Sequence, residues 1–252
     1  AKYVPELQGS AFAKTTLINL ATHTSGGFPL QVPDAVQDTA QLMAYLKAWT
    51  PQYAPGTHRT YANPSIGMLG VVAARSLGQP YVAALEQGLF PKLGLRSTYV
   101  NVPPEKMPDY AWGYNKQNAP VRVNPGVLAD EAYGVKSTAR DMIRFVEVNL
   151  GVAPVDAAIQ RAIAATHTGY YQLGAMTQDL IWEQYRYPVS VDDLVAGNSA
   201  KVAFETLPVQ ALQPPSAPQP AAWINKTGAT NGFGAYVAFV PSRKEGIVIL
   251  AN

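Results

Sequence analysis

The chain has 252 residues, 48% hydrophobic and 14% charged, and its 19 basic and 17 acidic residues leave a formal charge of +2. That is long enough to bury a sizeable core, and too balanced, with no dense basic run, for a nucleic-acid partner. The absence of cysteine excludes disulfides, thiolate-bound zinc and thiol nucleophiles, and His23, His58 and His167 are too scattered for a histidine metal site. No apolar stretch approaches the roughly 18 residues that span a bilayer, so no membrane insertion is expected. No signal peptide stands at Ala1, which reads as a cytosolic or an already cleaved chain. The 21 prolines and 20 glycines imply many loops on a rigid scaffold.

Thr16 to His23 reads as a short helix ended by Ser25-Gly26-Gly27, followed by a loop from Pro29 to Pro33 that contains Gln31. Leu42, Tyr45, Leu46 and Trp49 repeat at helical spacing over residues 38–49, and Pro51 to Gly56 breaks that helix. Ser65 to Leu77, closed by Gly78, and Tyr81 to Leu89, followed by Pro91 and Gly94, are further helices. After Thr98 the pattern changes. Tyr110 to Tyr114 and Val121 to Val123 read as short strands joined by a turn. Ser137 to Leu150 is a helix with Ser137 as its N-cap and Asp141 in its first turn, and a second helix covers about Val155 to Thr166. Pro208 to Pro220 reads as a proline-rich loop. Trp223 to Lys226, Ala235 to Val240 and Gly246 to Leu250 form a three-stranded antiparallel meander, which needs cover on both faces. Both ends of the chain therefore read as cut edges of a larger fold. The expectation is an α+β or α/β fold in which an antiparallel sheet is flanked by helices and joined to a mostly helical part. It forms a single domain over 1–252, with about 14–100 mainly helical and about 101–252 mixed.

Two triplets carry the chemistry. In Lys226-Thr227-Gly228 a lysine at a strand edge holds an anion or favours a neighbouring hydroxyl's ionised form, Thr227 can bond a carboxylate, and Gly228 leaves room for a substrate along the strand. Ala229 extends that edge and offers a backbone N–H to an oxyanion. In Tyr61-Ala62-Asn63, ahead of a helix, a tyrosine becomes a general base only where a cation favours its phenolate, and Asn63 can donate to an amide carbonyl. Each triplet by itself reads better as structure: a lysine with a glycine turn, or a core tyrosine with an N-capping Asn63 before Pro64.

Together, and with Ala21 to Gly27, Pro29 to Asp34, Tyr110 to Tyr114, Glu131 to Thr138 and Lys226 to Thr230, they resemble the class C β-lactamases, over essentially the whole chain and in order. The resemblance implies a β-lactamase/transpeptidase-like fold and hydrolysis of the β-lactam amide of cephalosporins and penicillins through a serine acyl-enzyme. It implies Tyr61 as general base and acid and Lys226 as the cation beside it. Gln31 and Asn63 then bind the antibiotic's side-chain amide, Thr227 and Gly228 line the strand, Ala229 gives an oxyanion N–H, and Tyr133 packs against the substrate side chain. No cofactor or metal is implied, the partner is a small β-lactam, the protein is a monomer, and the location is periplasmic. The chain departs from the family at one point: no serine is followed by lysine three residues on. In the family that serine lies upstream of the position of Ala1, so this chain is expected to lack the family's N-terminal part and closing helix and to be inactive alone. The alternatives are a D-alanyl-D-alanine carboxypeptidase or esterase of the same fold, or an inactive ligand-binding fragment.

Overall fold

The computed structural model describes residues 2–252. Its first part is helical. Helix α1 spans Leu17–Ala21 and starts in a capping box: Thr16 Oγ1 accepts from the Asn19 N–H while Asn19 Oδ1 accepts from the Thr16 N–H. Helix α2 spans Thr39–Ala48, is capped by Asp38, and buries Leu42 and Leu46 as its periodicity requires. Helix α3 spans Asn63–Leu77 and stops at Gly78, whose φ is 67°. Asn63 is thus inside the first turn, and Ala62 holds the cap position without a side-chain bond. Leu7, Leu42, Leu46, Met68 and Leu128 form the core of this part. Along α3, a methyl on Gly67 would stand 2.7 Å from Leu128, so the missing side chain lets α3 approach the Ala129–Ala132 helix that carries Tyr133 at its end.

The helix expected over Tyr81 to Leu89 runs on to Leu93. Its Ala84–Leu89 stretch widens into π turns, which accommodate Pro91 without ending the helix. The next expected strands shrink to β2, Gly113–Tyr114, and β3, Pro120–Val121. The cap of the following helix, Ala139–Asn149, is Thr138 and not Ser137: Thr138 accepts from the Asp141 N–H, while the Ser137 hydroxyl is engaged with Thr98. The helix after it spans Ala157–Thr166.

The main sheet has seven strands where the sequence pattern showed three. Its strands are β4 (Gly169–Leu173), β5 (Met176–Gln178), β6 (Glu183–Arg186), β8 (Gln210–Ser216), β9 (Ala222–Thr230), β10 (Phe233–Val240) and β11 (Glu245–Ala251), in the order β11-β10-β9-β6-β5-β4-β8. Strand β8 replaces the expected proline-rich loop. It tolerates Pro214 and Pro215 because it is an edge strand and bulges there: Gly169 pairs with Ser216 but Tyr171 pairs with Ala211. The Ala139–Asn149 helix covers one face, where Val146 meets Ile224, Val237 and Phe239. A separate pair joins β1, His58–Thr60, to β7, Thr206–Pro208.

Candidate active site

The stagger of the main sheet makes the site. Strand β9 is paired with β10 from Ile224 to Thr230, but with β6 only as far as Asn225. From Lys226 onward the β6 side of β9 is open, so a central strand behaves there as an edge. Its polar backbone groups face a cleft of about 1140 Å³. Lys226, Thr227, Gly228 and Ala229 form one wall of that cleft. Thr227, Gly228 and Ala229 are exposed. A methyl on Gly228 would meet only Ala235, at an ordinary 3.6 Å, so the glycine keeps space for something other than protein.

Tyr61, between the end of β1 and the start of α3, lines the same cleft beside Lys226. Lys226 Nζ lies 4.8 Å from its ring centroid and donates to the Thr227 carbonyl at 2.7 Å. The Arg59 guanidinium lies 5.6 Å from the same ring. Asn63 and Gln31 are held together because the Asn63 N–H donates to the Leu30 carbonyl at 2.9 Å. Tyr133 lines the cleft half-buried, and burial pushes its phenol pKa up. All eight residues singled out in the sequence therefore meet in one cleft: Gln31, Asn63, Tyr61, Tyr133 and the four of β9.

Three further residues that the sequence did not single out line the cleft: Arg59, Glu183 and His23. Arg59 is 2% exposed, and its three guanidinium nitrogens are all engaged. Nη2 pairs with Glu183 at 2.7 Å, Nε donates to Gln178 at 2.7 Å, and Nη1 donates to the Val202 carbonyl at 3.0 Å. Burial pulls the Arg59 pKa down, and Glu183 opposes that. Asn225, also buried, donates to the Glu183 carbonyl at 2.7 Å and so ties this cluster to β9. His23 is buried against Tyr61 with ring centroids 4.3 Å apart. The sequence signal for Arg59 was its place two residues before Tyr61. For Glu183 there was none, because its partner lies 124 residues away.

Charge in the cleft is asymmetric. Arg59, Lys106, Lys136 and Lys226 line it with Asp109 and Glu183. With Arg59 and Glu183 paired, three lysines face one aspartate, a field that favours an anionic ligand. Among the described residues no group of three or more potential metal ligands occurs.

The β-lactamase family model matches residues 1–252. The chain belongs to the β-lactamase family. It is 57% identical to a β-lactamase of Lysobacter lactamgenus, with all of this chain and 65% of that one covered. It is 51% identical to a β-lactamase of Pseudomonas fluorescens, of which it covers 70%. The chain thus spans about two thirds of the length of these family relatives. Among solved structures, a class C β-lactamase in complex with cefoxitin superposes with a TM-score of 0.96 at 51% identity, over all of this chain and 70% of that one. A β-lactamase/D-alanine carboxypeptidase from Pseudomonas syringae gives 0.97 at 58%, with the same coverage. The family's mixed fold, an antiparallel sheet with helices, is the fold described above. Among the described residues no helix is long and apolar enough to cross a membrane.

Proposed function

We propose that this chain forms the proton-transfer and substrate-docking walls of a class C β-lactamase that opens cephalosporins and penicillins through a serine acyl-enzyme. The observation that carries the reading is the meeting of Tyr61 and Lys226 across the open side of β9. A serine oxygen attacks the lactam carbonyl carbon while Tyr61 takes its proton. The C–N bond breaks, and Tyr61 returns a proton to the departing nitrogen. Water then attacks the acyl carbon while Tyr61 takes one of its protons, the bond from that carbon to the serine oxygen breaks, and Tyr61 passes the proton to the departing serine oxygen. Lys226 balances negative charge at the Tyr61 oxygen and at the substrate carboxylate, and the Ala229 N–H donates to the carbonyl oxygen as it becomes anionic. Gln31 and Asn63 bind the side-chain amide, Thr227 and Gly228 guide the substrate along β9, and Tyr133 packs on its side chain. The attacking serine belongs to a Ser-x-x-Lys element outside these 252 residues, so residues 1–252 alone remain unacylated by a labelled penicillin. The enzyme works as a periplasmic monomer without a cofactor and confers antibiotic resistance.

A second reading is supported by similarity to a solved D-alanine carboxypeptidase from Burkholderia cenocepacia, 53% identical with a TM-score of 0.95. One experiment separates the two. The longest natural chain containing these residues is assayed with nitrocefin, a D-alanyl-D-alanine peptide and short esters. Nitrocefin turnover is expected to dominate, and Tyr61→Phe to lower its kcat by about 10²- to 10⁴-fold. Peptide or ester turnover without nitrocefin turnover, or an unchanged kcat in Tyr61→Phe, overturns the β-lactamase reading.

A further inference from the structure

His23 has no role in the scheme above, yet it lies against the residue at its centre. It follows α1 at a φ of 58°, a left-handed backbone that a non-glycine residue keeps only where its surroundings hold it. The holding contacts are visible. The ring is buried and stacks on Tyr61 at 4.3 Å with a 38° tilt. Nδ1 accepts a 3.2 Å hydrogen bond from the N–H of Ala62, the residue after Tyr61. The His23 carbonyl accepts from the Thr60 N–H, the residue before Tyr61, at 2.9 Å. His23 therefore grips the chain on both sides of Tyr61 and touches its ring between them.

The grip requires an uncharged imidazole. A ring nitrogen that accepts carries no proton, so the single proton of the neutral ring is on Nε2. Nε2 is buried and meets no hydrogen-bond partner, so no competing bond turns the ring away from Ala62. A cationic ring would protonate Nδ1 and break the Ala62 bond. It would also place a third positive charge beside Arg59 on β1 and Lys226 on β9, with the Tyr61 phenol as the other ionisable group in contact. Burial, then Arg59, then Lys226 hold the His23 pKa well below the usual range.

We propose that His23 is a positioning residue for Tyr61: a neutral imidazole, protonated on Nε2, that fixes the plane of the phenol ring and the strand-to-helix turn that carries it. Its effect on turnover rests on the role given to Tyr61 above, whereas its tautomer does not.

The test has two arms, both in the longest natural chain that contains these residues. Nitrogen NMR of labelled histidine is expected to show His23 protonated on Nε2, bare on Nδ1, and unchanged from about pH 8 to about pH 5. A proton on Nδ1, or titration to imidazolium in that range, overturns the proposal whether or not any variant folds. The kinetic arm uses His23→Phe, which keeps a ring and removes the acceptor, and His23→Gln, which keeps an acceptor and removes the ring. Each is expected to lower the rate of acylation by nitrocefin, by up to about 100-fold, while KM stays within about twofold. In a Tyr61→Phe background neither is expected to lower it further, because His23 acts through the Tyr61 hydroxyl. A loss that persists in that background, or one confined to KM, assigns His23 a merely structural role and overturns the proposal. A wild-type protein that leaves nitrocefin intact sinks the β-lactamase reading alone, and the NMR arm still decides the geometry of His23.

Discussion

Asp179 sits in the turn between β5 and β6, fully buried, and both its carboxyl oxygens lack a hydrogen-bond partner. Burial pushes its pKa up to about 9. His167, buried against Trp182 and Phe239 and bonded to Asn149, is pulled down to about 4 by the same cause. The two act on stability in opposite directions. Asp179 stays protonated in the fold and ionises in the unfolded chain, so its effect is a loss of stability as pH rises from about 4 to about 9. His167 stays neutral in the fold and takes a proton in the unfolded chain, so its effect is a loss as pH falls from about 6.5 to about 4. Below about pH 6.5 they offset one another. Above it the Asp179 effect stands alone, at up to about 1.4 kcal/mol per pH unit. Asp179→Asn is expected to flatten the decline between about pH 6.5 and about pH 9, measured by urea unfolding at several pH values. An unchanged slope would show that Asp179 finds a partner when the protein is in solution.

At the scale of elements, the cleft depends on how the β2–β3 hairpin docks on the main sheet. Gly113 of β2 presses on the turn between β9 and β10, where a methyl would run into the Gly232 carbonyl and stand 2.7 Å from the Phe233 ring. Arg122 fastens the same hairpin: its guanidinium lies 4.4 Å from the Tyr110 ring centroid and 4.1 Å from that of Trp112. Nη2 also donates to the Tyr110 carbonyl at 2.7 Å. Tyr110, Ala111 and Val123 of this segment line the cleft. Gly113→Ala must therefore displace backbone, and overpacking of this kind costs about 1–3 kcal/mol. The expected outcome is a raised KM for nitrocefin and a lowered unfolding midpoint. Gly228→Ala is the contrasting case, since no protein atom obstructs its methyl. It is expected to leave the unfolding free energy within about 0.5 kcal/mol while lowering nitrocefin kcat/KM, because the added methyl points into the space proposed for the substrate.

Across the whole molecule, Arg59 joins parts of the chain that the fold builds separately. It stands on the small β1–β7 pair, yet its side chain bonds β5 through Gln178, β6 through Glu183 and the Ala200–Phe204 helix through Val202. Such a pair adds little over apolar residues of the same shape, but breaking it strands a buried charge. Glu183→Ala is expected to cost about 3–5 kcal/mol in urea unfolding. Arg59→Met combined with Glu183→Leu is expected to cost less than the two single changes summed, because no unpaired charge remains. Additive costs would mean that the pair is not coupled.

Much of this architecture was legible in the residues. The helices α1 and α2, the Gly78 stop of α3 and the three C-terminal strands follow from contacts a few residues apart, which a sequence displays directly. The Tyr61 and Lys226 triplets and their flanking loops were enough to point to the family and to eight residues that now share a cleft. Tertiary structure decided what depends on distant partners. Pro214 and Pro215 looked like loop until β4 provided a bulged edge to receive them. Arg59, in a three-residue strand, gave no sign of its burial, because Gln178 and Glu183 lie 119 and 124 residues away. His23 read as a stray histidine until the fold laid it against Tyr61. The opening of β9 beyond Asn225 is likewise a property of where β6 begins beside it. Residue type and spacing fix short-range preferences, whereas burial, stagger and charge pairing are set by whichever segments the fold brings alongside.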